Sequence, residues 1–132
     1  METLEELREK YSSLCEEQRT LYEKIVKLEQ QEVYNNFAVG ECYLNTACDS
    51  FEKIIAIDNN MLHCVVITNG SIRRDFYYLN GTKCWKKITS EQFRDVYHAV
   101  IKDITDPDFE DNEESNFDIV LKSIYNSINK EK

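Results

Sequence analysis

The chain has 132 residues, a formal net charge of −9 and a hydrophobic content of 42%. This length suits one modest domain with an appendage, and eight Tyr and six Phe supply enough apolar surface for a packed core. The acidic balance disfavours binding to nucleic-acid phosphates, and no run approaches the ~20 apolar residues of a membrane span. Because the first residues are acidic rather than basic, a signal peptide is not expected. We therefore expect a soluble cytoplasmic protein with no membrane contact and no direct binding of duplex nucleic acid.

Residues 4–28 carry an apolar repeat with alternating steps of three and four, interrupted by one polar member. This series, which we call the seam, consists of Leu4, Leu7, Tyr11, Leu14, Gln18, Leu21, Ile25 and Leu28. A period of 3.5 residues keeps one narrow stripe facing a partner helix, as in a coiled coil. Thr3, with Glu6 three residues later, predicts the start of this helix. A helix continuing to about residue 32 would be roughly 45 Å long at 1.5 Å per residue.

The seam predicts self-association. Gln18 interrupts it, and one polar residue at a coiled-coil core position can fix register and oligomer state. Tyr22 and Val26 lie beside the seam, so the C-terminal half of the helix is also expected to pack on the rest of the chain. Alternatively, the seam could fold against the C-terminal helix, but that helix is less than half as long and would leave the N-terminal half bare. We therefore predict a homodimer or higher oligomer with the seam as its interface.

After residue 36 the apolar period changes to two, which predicts β-strands. Five strands are predicted, at residues 39–44, 51–57, 62–68, 72–79 and 83–88. Two of the turns between them contain Asn-Gly pairs, Asn69-Gly70 and Asn80-Gly81, which are typical of two-residue hairpin turns. Five short antiparallel strands indicate a five-stranded sheet or a small SH3-like barrel.

Two amphipathic helices are predicted to follow the strands. Thr89 and Gln92 form a capping-box pattern at the start of the first helix. Its buried face is predicted to contain Phe93, Val96, Tyr97, Val100, Ile101 and Ile104. The second helix has about 13 residues and is marginal alone, so it must dock on the barrel, the long helix or another subunit.

The predicted fold class is α+β. A coiled-coil helix at residues 1–36 precedes a small sheet or barrel with a packed helix at residues 37–104. An acidic loop at residues 105–116 and an amphipathic helix at residues 117–132 complete the chain.

The first 104 residues resemble small phage and prophage proteins that have an N-terminal coiled-coil helix and a small β-barrel. The matching residues are Val39-Gly40-Glu41-Cys42-Tyr43, then Lys53-Ile54-Ile55, then the helix start Ile88-Thr89-Ser90-Glu91-Gln92-Phe93. The resemblance implies an origin in a mobile element. It also implies a non-catalytic function, such as binding and inhibiting a host defence protein in the manner of an anti-CRISPR protein. A structural phage accessory protein is an alternative.

The acidic loop is the predicted partner-binding segment. It contains six carboxylates and one aromatic residue: Asp106, Asp108, Phe109, Glu110, Asp111, Glu113 and Glu114. These residues could occupy the basic groove of a host protein. The alternative is a solvated linker. The loop lacks the Gly and the spacing of a calcium loop.

A second functional hypothesis is a nucleotide or small-ligand site on the last two predicted strands. Cations interleaved with aromatic rings can hold a phosphorylated ligand. The candidate residues are Arg73, Arg74, Tyr78, Trp85 and Lys87, and a hairpin at Asn80-Gly81 would bring their strands together. A solvated strand face is the alternative.

Neither the cysteines nor the histidines form a recognised site. Zinc ligands could be drawn from Cys42, Cys48, His63, Cys64 and Cys84, but structural zinc prefers ligands paired two to four residues apart. A nucleophile at Cys84 with His98 as base lacks an orienting motif. We therefore predict packed thiols, no metal, no cofactor and no enzymatic activity. The predicted function is that of an oligomeric protein-binding module.

Overall fold

The computed structural model describes residues 1–106 and 114–130. Its helices are α1 (Leu4–Asn36), α2 (Ser90–Thr105) and α3 (Asn116–Lys130). Its strands are β1 (Cys42–Asn45), β2 (Ser50–Asp58), β3 (Met61–Thr68), β4 (Ser71–Tyr78) and β5 (Trp85–Ile88), with a 3-10 helix (Leu79–Thr82) between the last two. The α+β class is thus confirmed, with an open antiparallel sheet rather than a closed barrel. No helix among the described residues is long and apolar enough to cross a membrane.

The start of α1 is capped as predicted. The Thr3 hydroxyl accepts a hydrogen bond from the Glu6 backbone N–H at 3.2 Å, which satisfies one of the free donors of the first turn. The helix runs on to Asn36, four residues beyond the predicted end. Its 33 residues correspond to about 50 Å at 1.5 Å per residue.

The strand order in the sheet is β4-β3-β2-β1-β5. The first four strands form a meander, and Asn69-Gly70 makes the predicted tight hairpin, with Gly70 at a φ of 87°. The hairpin predicted at Asn80-Gly81 is wrong, because these residues belong to the 3-10 helix. That helix carries the chain to the far side of the sheet, where β5 pairs with β1. Strands β4 and β5 therefore form opposite edges.

Both faces of the sheet carry apolar clusters. The front face packs under α2 and α3 through Leu44, Phe51 and Ile67. The back face holds Ile54, Leu62, Cys64, Val66 and an aromatic group, and Val33 at the end of α1 closes it. The sheet is curled around this back cluster, since the rings of Tyr77 on β4 and Trp85 on β5 lie 5.2 Å apart between centroids.

The capping box of α2 is confirmed, with Thr89 and Gln92 bonding reciprocally at 2.9 and 3.0 Å. Its buried face is narrower than predicted. Phe93, Val96 and Val100 are buried, whereas Tyr97, Ile101 and Ile104 are exposed. The reason is that α2 packs against the sheet with one side and against α3 with a second side. The third side of α2, which carries Tyr97, Ile101 and Ile104, is left uncovered.

The docking sites expected for α3 were the barrel, the long helix or another subunit. In the structure α3 packs on the front face of the sheet and against α2. Phe117 and Ile124 are buried in the front cluster, and the Tyr125 hydroxyl donates to the Asp49 carboxylate at 2.5 Å. Asp103 near the end of α2 accepts hydrogen bonds from the backbone N–H groups of Asn116 and Phe117 at 2.9 and 3.0 Å. A carboxylate of one helix thus caps the next and fixes the angle between them.

Candidate interaction surfaces

The seam of α1 is exposed along its whole length in the single chain. Its seven apolar members, Leu4, Leu7, Tyr11, Leu14, Leu21, Ile25 and Leu28, are each between 50% and 71% accessible. Gln18 is exposed among them. Neither α2 nor α3 covers any part of this stripe, so the alternative in which the seam folds within one chain is wrong.

The helix meets the body through a different side. Val33 is fully buried in the back cluster, Val26 is half-buried, and Glu29 accepts a hydrogen bond from the Asn60 side chain at 3.1 Å. Because each residue turns an α-helix by about 100°, Val26 lies about 100° around from its seam neighbour Ile25. The prediction that the C-terminal half packs on the body is right for Val26 but wrong for Tyr22, which is 66% exposed.

The acidic segment falls largely outside the described residues. Asp108, Phe109, Glu110, Asp111 and Glu113 lie there, so their predicted partner-binding role stays a prediction. Of the two described members, Asp106 follows the last turn of α2 and Glu114 forms an ion pair with Lys122 of α3. Because Lys122 is exposed, this pair adds little to stability.

The predicted ligand-binding residues are not assembled into one site. Arg74 and Tyr78 share the front side of β4, but Arg73 points to the back side and lies 3.8 Å from Asp75. Trp85 is buried in the back cluster. Lys87 stands on the opposite edge strand and forms an ion pair with Glu41 at 2.6 Å. The physical reason is the pairing of β5 with β1, which separates the two strands that a hairpin would have joined.

A different set of residues shares the front face where α2 and α3 leave it uncovered. We call this set the front patch: Lys53, His63, Arg74, Phe76 and Tyr78. Lys53 and Arg74 both lie opposite Val65, on either side of it, and His63 lies opposite Phe76. Cross-strand partners in an antiparallel sheet share a face, so these side chains are neighbours. The ring centroids of His63 and Phe76 are 6.5 Å apart, and those of Phe76 and Tyr78 are 6.1 Å apart.

Sequence analysis missed most of the front patch, although a signal was present. On β4 the alternation Ile72, Arg74, Phe76, Tyr78 follows a period of two, so these four residues had to share one face. The exposure of Phe76 (51%) and Tyr78 (45%) depends on where α2 and α3 stop. That limit is a tertiary feature that no local pattern contains.

A buried carboxyl on the back face was also missed. Glu52 is fully buried, and its Oε1 accepts hydrogen bonds from the Ser50 hydroxyl at 2.6 Å and the Tyr77 hydroxyl at 3.2 Å. Burial raises the pKa of Glu52, which the hydrogen bonds from Ser50 and Tyr77 only partly offset. Within the described residues, the Glu52 Oε2 and the Trp85 Nε1 have no hydrogen-bond partner. The available signal was an acidic residue directly after Phe51 and shortly before the apolar run Ile54-Ile55-Ala56-Ile57.

The cysteines and histidines are dispersed. Cys42 belongs to the front cluster and Cys64 to the back cluster, and burial raises the pKa of the Cys64 thiol to about 12. Cys84 is exposed just before β5, and His98 is exposed on α2. Among the described residues, no three His, Cys, Asp or Glu side chains are grouped so that they could hold a metal ion.

The geometry therefore offers two surfaces for binding, the seam of α1 and the front patch. Comparison of the chain with protein-family models, with curated proteins and with solved structures found no match.

Proposed function

We propose that this protein is a non-catalytic module that self-associates through α1 and presents two copies of its α+β body for protein binding. The observation that carries the proposal is the exposure of all seven apolar seam residues. Apolar surface of this extent is costly in water, and pairing two seams would bury it. From Leu4 to Leu28 the seam spans about 36 Å at 1.5 Å per residue, which is more than three heptads.

The polar member of the seam favours a parallel, in-register pair. In that arrangement Gln18 meets Gln18 of the second copy, and the two side-chain amides can hydrogen bond. In an antiparallel pair with both seams fully overlapped, Gln18 faces Leu14 and buries an unpaired amide.

The position of the body is compatible with this pairing. Val26 and Val33 attach the body to a side of α1 about 100° away from the seam, so the apolar seam residues stay exposed for pairing. A dimer carries a formal charge of twice −9, or −18, which favours a client with a basic surface. A host protein inhibited by a phage-encoded protein is the client class that the resemblance implies.

The test is the mass of the protein in solution. Light scattering of the wild type should give about two chains of 15.6 kDa, or 31.2 kDa. Leu7→Glu with Leu14→Glu places two charges inside the seam and should give a folded monomer. The matched control, Ser12→Glu with Ser13→Glu, adds the same charge to exposed positions outside the seam and should remain dimeric.

Orientation is tested by a disulfide. Leu7→Cys, in a background in which the exposed Cys15, Cys48 and Cys84 are changed to Ser, should form a cross-linked dimer on oxidation, because the same seam position meets itself in a parallel, in-register pair. A dimer that never cross-links at this position would be antiparallel or out of register. A wild type that stays at 15.6 kDa at the highest concentration measured would overturn the proposed function itself.

A further inference from the structure

The front patch combines exposed aromatic rings with cations that form no ion pair with a carboxylate of residues 1–106 or 114–130. Phe76 and Tyr78 are about half exposed, although nothing in their strand pairing requires large rings at these positions. Neither Lys53 nor Arg74 takes part in an ion pair among the described residues. In a protein with a net charge of −9, two unpaired cations beside two exposed rings suggest an anionic, aromatic ligand.

The cationic and acidic residues of this face lie at opposite ends of the strands. On the front side of β2, β3 and β4, Lys53 and Arg74 occupy one row, and the rings of Phe76 and Tyr78 follow along β4. Asp58 is the one acidic residue on the front side of these three strands, and it lies at the far end, in the same row as Met61 and Tyr78. An anion would therefore be held at the Lys53 end, next to the row of Phe76, and repelled at the Asp58 end.

We propose that the front patch binds single-stranded nucleic acid, with a base stacked on Phe76 or Tyr78 and the phosphates held by Arg74 and Lys53. Only a single strand offers free base faces for stacking on aromatic rings, whereas a duplex would meet the patch with its backbone alone. The acidic remainder of the molecule repels further phosphates, which restricts binding to a few nucleotides and makes it weak. A dimer would offer two such patches to one strand.

The test is fluorescence anisotropy of a labelled 12-nucleotide single strand titrated with the full chain at several salt concentrations. Each phosphate contact contributes about −0.7 to the slope of the logarithm of the binding constant against the logarithm of the salt concentration. Two contacts therefore predict a slope of about −1.4. Phe76→Ala should weaken binding at least fivefold by removing a stacking ring. Arg74→Gln should weaken binding and reduce the slope by about 0.7.

Two control variants match these changes outside the patch. Tyr34→Ala removes an exposed aromatic ring from α1, and Lys102→Gln removes an exposed cation from α2. Both should bind like the wild type. Circular dichroism of every variant checks folding, and the half-exposed positions of Phe76 and Arg74 make unfolding unexpected.

Three results would overturn the proposal. The first is no anisotropy change at 50 mM salt and 100 μM protein, and the second is equal losses in patch and control variants. The third is photocrosslinking from position 76 that captures only a protein and never the oligonucleotide. The monomeric Leu7→Glu, Leu14→Glu variant keeps the patch, so its binding separates a failure of this site from a failure of dimerisation.

Discussion

Glu52 is a carboxyl residue whose burial is costly to the fold. Its carboxyl is buried on the back face, with Oε1 hydrogen bonded to Ser50 and Tyr77 and with Arg73 and Asp75 of β4 nearby. Burial raises the pKa of Glu52 because the apolar surroundings disfavour the charged form. Burial and the neighbouring charge of Glu52 likewise raise the pKa of Tyr77, so both groups favour the neutral state.

The raised pKa of Glu52 predicts a pH-dependent stability. Its contribution to folding is fully present below the unfolded pKa, near 4.5, and is lost as the pH rises through the folded pKa. Glu52→Gln cannot ionise, so its free energy of unfolding relative to wild type should increase between pH 4 and pH 8. Urea unfolding at these pH values measures the difference.

Glu41→Gln is the matched control for this experiment. Burial of Glu41 alone would raise its pKa, but hydrogen bonds from Lys87 and the Ala38 N–H outweigh burial and hold the pKa below its usual value. Its stabilising effect is therefore present above the unfolded pKa and lost as the pH falls through the folded pKa. The two variants should change with pH in opposite directions. A Glu52→Gln variant whose difference from wild type does not vary with pH would contradict a buried, ionising carboxyl.

At the level of elements, two identical Asn-Gly pairs adopt different structures. Gly70 has a φ of 87° in the β3–β4 hairpin, a conformation that side chains rarely adopt. Gly81 lies in the 3-10 helix, and an added Cβ there would meet only the Tyr77 side chain at an ordinary 3.7 Å. Gly70→Ala should therefore lower the free energy of unfolding by about 1 kcal/mol, whereas Gly81→Ala should be neutral or slightly stabilising. Urea unfolding of both variants at one pH measures this, and equal losses would contradict the assigned turn conformations.

The elements were predictable from sequence because each has a local signal. The seam, the Thr3 and Thr89 caps and the period-two segments identified all three helices and all five strands, with ends displaced by a few residues. The fate of Asn80-Gly81 was not predictable, because the pair encodes a tight turn but not whether β4 or β1 receives the next strand. That choice depends on long-range contacts, such as the pairing of Trp85 with Asn45 of β1.

The candidate sites divide in the same way. The seam is a property of one helix, so its residues can be listed from their spacing, and the structure shows its seven apolar members exposed. Their role as an interface stays a prediction. The ligand set failed because Arg73 and Lys87 belong to strands that end on opposite edges of the sheet. Residues on one face of a single strand, such as Arg74 and Tyr78, stayed together because strand alternation alone decides this. The phage origin and the inhibitor function remain predictions.

At the scale of the whole molecule, the chain divides into a rod that contacts little and a body that holds both clusters. Contacts of α1 with the body begin near Val26 and are completed by Val33 and Phe37. The first 21 residues of the chain are exposed throughout. Residues that bury no surface within the chain cannot contribute much to the stability of the body, so the rod and the body should be separable.

Removing residues 1–21 tests this separation. The shortened chain keeps Val26, Val33 and the whole sheet, but it loses five of the seven apolar seam residues, including Leu7 and Leu14. It should be monomeric by light scattering, and its body should unfold at the same urea concentration as that of the monomeric Leu7→Glu, Leu14→Glu variant. Trp fluorescence excited selectively over Tyr reports on the body alone, since the chain has one Trp and Trp85 is buried in the back cluster. A large loss of stability in the shortened chain would mean that the rod supports the body directly, and a shortened chain that still dimerises would place the interface outside the seam.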